Sequence, residues 1–196
     1  MKIKSLIFIL FLIFSFLVCG LAYSEEAKKN GLLKDYYKSG ELWFENNYKN
    51  GKLEGAVKEY YKNGKLKYER TFKNDKPNGS YRSYYASGAL LNEGNYEDGK
   101  RVGIVKGYYE SGELQGEWTY KDGKREGIAK LYYASGALMG EDSYQDDKLD
   151  GVSKGYYENG RVRYLETYKA GERINRKEYD KDGLLVSDKD FSAKSK

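Results

Sequence analysis

The chain has 196 residues with a net charge of +5; a third of them are charged (33%) and the mean hydropathy is −0.86, too polar for a large aliphatic core. Aromatics nevertheless reach 16%, with 22 tyrosines, which excludes a disordered chain and fits a thin fold that covers aromatic bodies while leaving their tips wet. There is no histidine, so Ser–His and Cys–His catalytic pairs are excluded.

The first predicted element is an export signal over residues 1–24. Lys2 and Lys4 form a basic start, "SLIFILFLIFSFLV" (5–18) an apolar run, and Ala22 and Ser24 the small residues before a cleavage site. Two other readings stay open. A retained anchor would give membrane association, since the run ending at Ala22 is about 18 residues, near the lower limit for a span. A lipoprotein would use Cys19 in "FLVCG" (16–20) as acceptor. Cleavage after Ser24 removes the single cysteine, and with it disulfides and thiolate chemistry. It also leaves 33 basic residues against 30 acidic, a balance that argues against a nucleic-acid partner.

After a short leader (25–30), a 24-residue period begins, each unit opening on glycine: 31–54, 55–78, 79–102, 103–126, 127–150 and 151–174. Adjacent tyrosines recur at 36/37, 60/61, 84/85, 108/109, 132/133 and 156/157. A degenerate seventh unit (175–191) keeps Tyr179, Gly183, Leu185 and Phe191 but has Asp180 for the second tyrosine, as expected of a solenoid cap before the tail 192–196.

Each unit reads as one β-hairpin. Ser-Gly or Asn-Gly marks a turn at Gly40, Gly64, Gly88, Gly112, Gly136 and Gly160. A two-residue loop at Ser111-Gly112 sets Glu110 opposite Glu113, Tyr109 opposite Leu114 and Tyr108 opposite Gln115. Farther out it sets Lys106 opposite Glu117 and Gly103 opposite Tyr120. The basic–acidic pairing is expected in five units and broken in the sixth by Leu165 opposite Lys154; the glycine–aromatic pairing is expected in all six, with the ring covering the glycine backbone. One face would carry Tyr109, Leu114, Trp118 and Tyr120 as a core, the other Tyr108 with the Lys106–Glu117 pair. The second tyrosines, Tyr37, Tyr61, Tyr85, Tyr109, Tyr133 and Tyr157, are therefore expected to be structural, as are the turn glycines.

The first tyrosines, Tyr36, Tyr60, Tyr84, Tyr108, Tyr132 and Tyr156, are the candidate binding row; a structural ladder beside lysine stems explains them as well. The acidic row of Glu45, Glu69, Glu93, Glu117 and Glu141 fits paired-carboxylate chemistry less well than a charge ladder. The Asp-rich stretches at 146–147 and 180–183 lack the spacing of a calcium loop, and the glycines of "GELQGEW" (112–118) recur as turns rather than as a phosphate loop. No metal, cofactor or catalytic residue is expected.

The pattern Gly-x-x-Lys-x-Tyr-Tyr-x-Ser/Asn-Gly-x-Leu-x-x-Glu-x-x-Tyr-x-x-Gly-Lys, over about 31–191, resembles the MORN repeat in its bacterial variant form. The resemblance implies an all-β ribbon of stacked antiparallel hairpins. The expected function is a non-enzymatic binding or scaffolding surface for a protein or envelope component, exported to the periplasm, outer envelope or exterior. Some relatives are labelled antitoxins, so an antitoxin or immunity partner is the alternative. Kinase domains accompany such repeats in some proteins; this chain has neither an ATP-binding loop nor room for that domain.

Overall fold

A computed structural model of the protein describes residues 30–192; the segment 1–24 expected to be an export signal, most of the leader and most of the tail lie outside the described residues. The described chain is all-β. Its strands are β1 (Gly31–Tyr36), β2 (Leu42–Lys49), β3 (Lys52–Tyr60), β4 (Leu66–Lys73), β5 (Lys76–Tyr84), β6 (Leu90–Glu97), β7 (Lys100–Tyr108) and β8 (Leu114–Lys121). These are followed by β9 (Lys124–Arg125), β10 (Gly127–Tyr132), β11 (Leu138–Gln145), β12 (Lys148–Tyr156), β13 (Val162–Lys169), β14 (Glu172–Tyr179) and β15 (Leu185–Asp190). They form one open antiparallel sheet in chain order, with β9 and β10 as one strand interrupted at Glu126. Every neighbour is the next strand in sequence, so the whole sheet is built from local contacts.

The two kinds of turn are the reverse of the expectation. The tight two-residue loops lie between the repeat hairpins, at Asn50-Gly51, Asn74-Asp75, Asp98-Gly99, Asp122-Gly123, Asp146-Asp147 and Ala170-Gly171, where both residues have positive φ. That is the type I′ geometry, which Asn, Asp and Gly tolerate best. The Ser-Gly and Asn-Gly stretches instead form three-residue loops. In unit four Gly112 N–H donates to Tyr109 C=O at 2.9 Å and Tyr109 N–H to Glu113 C=O at 2.9 Å; only Gly112 is left-handed, at φ 102°.

The longer loop moves the pairing by one residue, so Tyr108 lies opposite Leu114, not Gln115, and Tyr109 opposite Glu113, not Leu114. A bulge then restores the register. Gly107 pairs with Gly116, which leaves Gln115 unpaired, and Lys106 meets Glu117 as expected. The same unpaired residue recurs as Trp43, Lys67, Leu91, Met139, Arg163 and Val186. Leu165 opposite Lys154 is also as expected.

All six unit-opening glycines face their aromatic partners, from Gly31–Tyr48 to Gly151–Tyr168. The reason differs from ring cover. A Cβ on Gly103 would meet nothing within 4 Å, whereas its φ is +71°. Glycine is required there by backbone conformation, where the strand bulges out of the turn.

Alternation gives the sheet two unlike faces. The third residues of the units (Val57, Tyr81, Val105, Ala129 and Ser153) are buried on what is here called the aromatic face, where the half-buried Trp118 and Tyr120 lie opposite Val105 and Gly103. Tyr108 and Leu114 lie with the charged row on the opposite, ladder face. No large side chain is completely buried among the described residues, as a one-layer sheet requires. Glycines without positive φ let rings lie flat on the aromatic face: a Cβ on Gly155 would sit 2.1 Å from the Tyr164 ring, and one on Gly94 would sit 2.8 Å from Tyr81.

Candidate functional site

The ladder face is a framework of alternating charge. The row runs strand by strand from Lys34 through Glu45, Lys58, Glu69, Arg82, Glu93, Lys106, Glu117, Lys130 and Glu141 to Lys154, each opposite the next. Ion pairs close within it, including Lys34–Glu45 at 2.9 Å and Lys106–Glu117 at 3.3 Å. Arg82 lies between Glu69 at 3.8 Å and Glu93 at 3.4 Å. Each exposed pair adds little; a one-residue slip would oppose the whole row, so its main effect is on register.

The first tyrosines are tied into this row. The hydroxyls of Tyr60, Tyr84, Tyr108 and Tyr156 donate to Glu45, Glu69, Glu93 and Glu141 of the preceding hairpin, at 2.7, 3.3, 2.8 and 3.0 Å. Burial and then the Glu93 carboxylate push the Tyr108 phenol up to about 12; burial and Glu45 do the same for Tyr60. Tyr132 is half-buried, and Tyr36, in the first hairpin of the described residues, is 57% exposed.

The second tyrosines bind one hairpin to the next. Their hydroxyls donate to the backbone carbonyl of the following first tyrosine: Tyr37 to Tyr60, Tyr61 to Tyr84, Tyr85 to Tyr108, Tyr109 to Tyr132 and Tyr133 to Tyr156, all at 2.7–2.9 Å. Tyr157 reaches Tyr179 at 3.0 Å, so the seventh unit is held in the same way. The bulge residue covers the ring, as where Trp43 lies 5.5 Å from Tyr37 and Arg163 stands over Tyr157 at 5.8 Å. Tyr109→Phe is expected to lower stability by about 1 kcal/mol in a denaturant titration, the worth of one such hydrogen bond. A change within error would show that the hydroxyl bonds equally well to water.

The candidate site lies on the aromatic face, across β4 to β9. An open trough of about 390 Å³ is lined by the rings of Tyr68, Tyr81, Tyr96, Trp118 and Tyr120 and by Arg70, Arg101 and Arg125. Ser83, Asn92 and Val105 complete its lining, and no acidic residue belongs to it. The Arg70 guanidinium lies over Tyr68 at 4.6 Å and Tyr96 at 4.8 Å. Arg101 lies 5.5 Å from the Tyr120 ring and 5.8 Å from the Tyr81 ring, and its Nε donates to Tyr96 Oη at 3.2 Å. Such stacking holds each guanidinium plane without neutralising its charge. Arg125 differs: it stacks on Tyr144 at 4.2 Å and pairs with Asp147 at 3.2 Å. The Arg70 Nε and the Tyr68 hydroxyl are buried with no hydrogen-bond partner.

The same face closes on itself beyond the trough. Glu166 is buried and accepts from Arg173 at 2.6 Å, Arg176 at 2.5 Å and Tyr168 at 2.9 Å. Thus the strands from β4 to β7 keep the unneutralised guanidiniums of Arg70 and Arg101, whereas Arg125 on β9 and the arginines of β14 are paired with carboxylates.

Sequence reasoning placed the binding row on the ladder face and missed the arginines. Their signal was departure from the repeat. Arg70 occupies a position held elsewhere by Asn46, Gly94, Trp118, Asp142 and Glu166; Arg101 and Arg125, with Arg173, occupy one held in the other units by Leu53, Pro77 and Leu149.

Six segments of the chain, 29–50, 53–74, 77–98, 101–122, 125–146 and 149–170, match the family described as MORN repeat variant. No curated protein matches the sequence. Among solved structures, the crystal structure of TarM has 10% identity and a TM-score of 0.34, over 48% of this chain and 19% of that one. A mutant of S. aureus TarM in complex with Fondaparinux, alpha-GlcNAc-glycerol and UDP has 8% identity and a TM-score of 0.27, over 79% of this chain and 23% of that one. The chain thus spans less than a quarter of either, and similarity at this level carries no argument.

Proposed function

Because the chain belongs to the MORN repeat variant family, a repeat fold suited to binding, we propose that it is a non-catalytic binding protein of the bacterial cell envelope. Its aromatic face would hold an envelope component. The observation that supports this reading is the trough, where Arg70 and Arg101 stand on tyrosine rings with no carboxylate in the lining. The basic, apolar N-terminus supports export. The conspicuous side chains recur with the period and are engaged with one another, which supports a surface rather than a reaction centre.

Crosslinking and pull-down from intact envelopes, with fractionation, tests the reading. The wild-type chain should be recovered with the envelope and capture a component that the R70Q/R101Q double variant does not. The K73Q/K76Q variant removes the same charge at an exposed turn and should capture it normally. Recovery in the cytoplasm would overturn the envelope assignment, and equal capture by R70Q/R101Q would overturn the trough.

A further inference from the structure

We propose that the trough is a site for an anionic sugar, with a carboxylate or phosphate held between Arg70 and Arg101 and sugar rings laid against the flanking tyrosines. This rests on the reading of the trough as the binding surface.

Charge comes first. Arg70 and Arg101 both flank Tyr96, at 4.8 and 6.0 Å from its ring. Neither has a carboxylate partner among the described residues, whereas Arg125, Arg173 and Arg176 each do. Two planar guanidiniums converging on one ring present a fork of donors matched to a carboxylate or phosphate. The buried, unpartnered Arg70 Nε and Tyr68 hydroxyl are the polar atoms left for a ligand to satisfy. A buried donor without a partner costs about 1–3 kcal/mol, part of which a bound acceptor would return.

Shape and polarity then select among anions. Tyr96 and Tyr120 hold the same place in successive hairpins, two strand spacings or about 10 Å apart. Both line the trough and therefore offer separate aromatic surfaces along a line across the strands. Ser83 and Asn92, opposite each other with Asn92 Nδ2 donating to Ser83 Oγ at 3.3 Å, supply groups that both donate and accept, as sugar hydroxyls require. A peptide is less well served. Extended peptides are recognised chiefly through backbone groups at a sheet edge, and on this face the backbone groups are committed to the strand ladder. The cavity volume of about 390 Å³ is at the lower end of ligand-pocket size and is open along its length, which suits a short stretch of polymer.

Trp118 lines the trough and Trp43 lies far along the sheet, so fluorescence of a W43F chain reports on the trough alone. That chain would be titrated with an oligouronate, a sugar-phosphate oligomer, a neutral oligosaccharide of equal length and poly-glutamate. One or both anionic sugars should shift the Trp118 emission and bind at least about tenfold tighter than the neutral sugar, the worth of one charged hydrogen bond. The two anionic arms distinguish carboxylate from phosphate. R70Q/R101Q should lose at least about tenfold in affinity and K73Q/K76Q should not; R70K/R101K, which keeps the charge and loses the fork, should fall between them. Melting curves of all variants check folding, and the emission shift of the W43F chain locates the site without any substitution in the trough.

Poly-glutamate binding as tightly as either sugar would overturn the sugar assignment and leave the trough standing as a binding surface. Sugar binding that does not move Trp118, or an absence of binding by both anionic sugars, would overturn the inference. In either case the envelope pull-down with R70Q/R101Q judges the broader reading separately.

Discussion

Tyr81→Ala is expected to destabilise the protein by about 3 kcal/mol in urea unfolding, the low end of the range for removing a buried aromatic ring. Tyr81 is 5% exposed, the largest side chain of the buried third-residue row. Its ring lies 5.1 Å from Tyr96 and 6.4 Å from Tyr68, and Gly94 opposite leaves the space that it fills. In a compact domain its removal would leave a void. In a one-layer sheet water enters instead, so the loss is mainly the burial of the ring and of its neighbours. Tyr81→Phe should cost far less, because the ring supplies the packing and keeps its contacts with Tyr96 and Tyr68. A loss below 1 kcal/mol for Tyr81→Ala would show that the aromatic face is not a core.

The second large effect is expected at Glu166, where Glu166→Ala should cost about 3 kcal/mol by leaving Arg173 and Arg176 without their shared carboxylate. Both arginines are partly exposed, so the loss stays at the low end for breaking a buried pair. Burial acts to raise the Glu166 carboxyl, but hydrogen bonds from Arg173, Arg176 and Tyr168 outweigh it and hold the group below its ordinary value. A carboxyl lowered in the folded state contributes stability that is present above its unfolded value, near 4.5, and lost as pH falls through the folded value. The hairpin of β14 and β15 should therefore lose hydrogen-exchange protection in acid before the central units do, since each repeat is held mainly by its neighbours. Glu166→Gln should remove that acid dependence. A C-terminal hairpin as acid-sensitive in Glu166→Gln as in the wild type would place the cause elsewhere.

The charge ladder shows how a correct pairing can come from an incomplete derivation. A two-residue loop at Ser111-Gly112 predicts Lys106 opposite Glu117, and that pairing is present. The loop holds three residues, and the unpaired Gln115 supplies the compensating step. The two departures cancel everywhere beyond the bulge and persist only beside the turn, where Tyr108 and Tyr109 each move by one partner, to Leu114 and Glu113. Turn dipeptides alone do not distinguish the two loops, because Asn-Gly occurs both in the tight loop at 50–51 and in the three-residue loop at 63–64.

The sequence by itself determined the all-β class, the 24-residue unit, the number of hairpins and the opposite-charge row. These are periodic, and a period repeated six times reports the average environment of each position. The tertiary structure alone decided which turn is tight, how the second tyrosines hold successive hairpins, and where the cationic trough lies. The physical reason is the same in each case. The tyrosine hydroxyls reach carbonyls 22 or 23 residues away, and the trough is made by residues of three successive units. Arg70, Arg101 and Arg125 are irregular when read along the chain and become neighbours only when stacking places one unit beside the next.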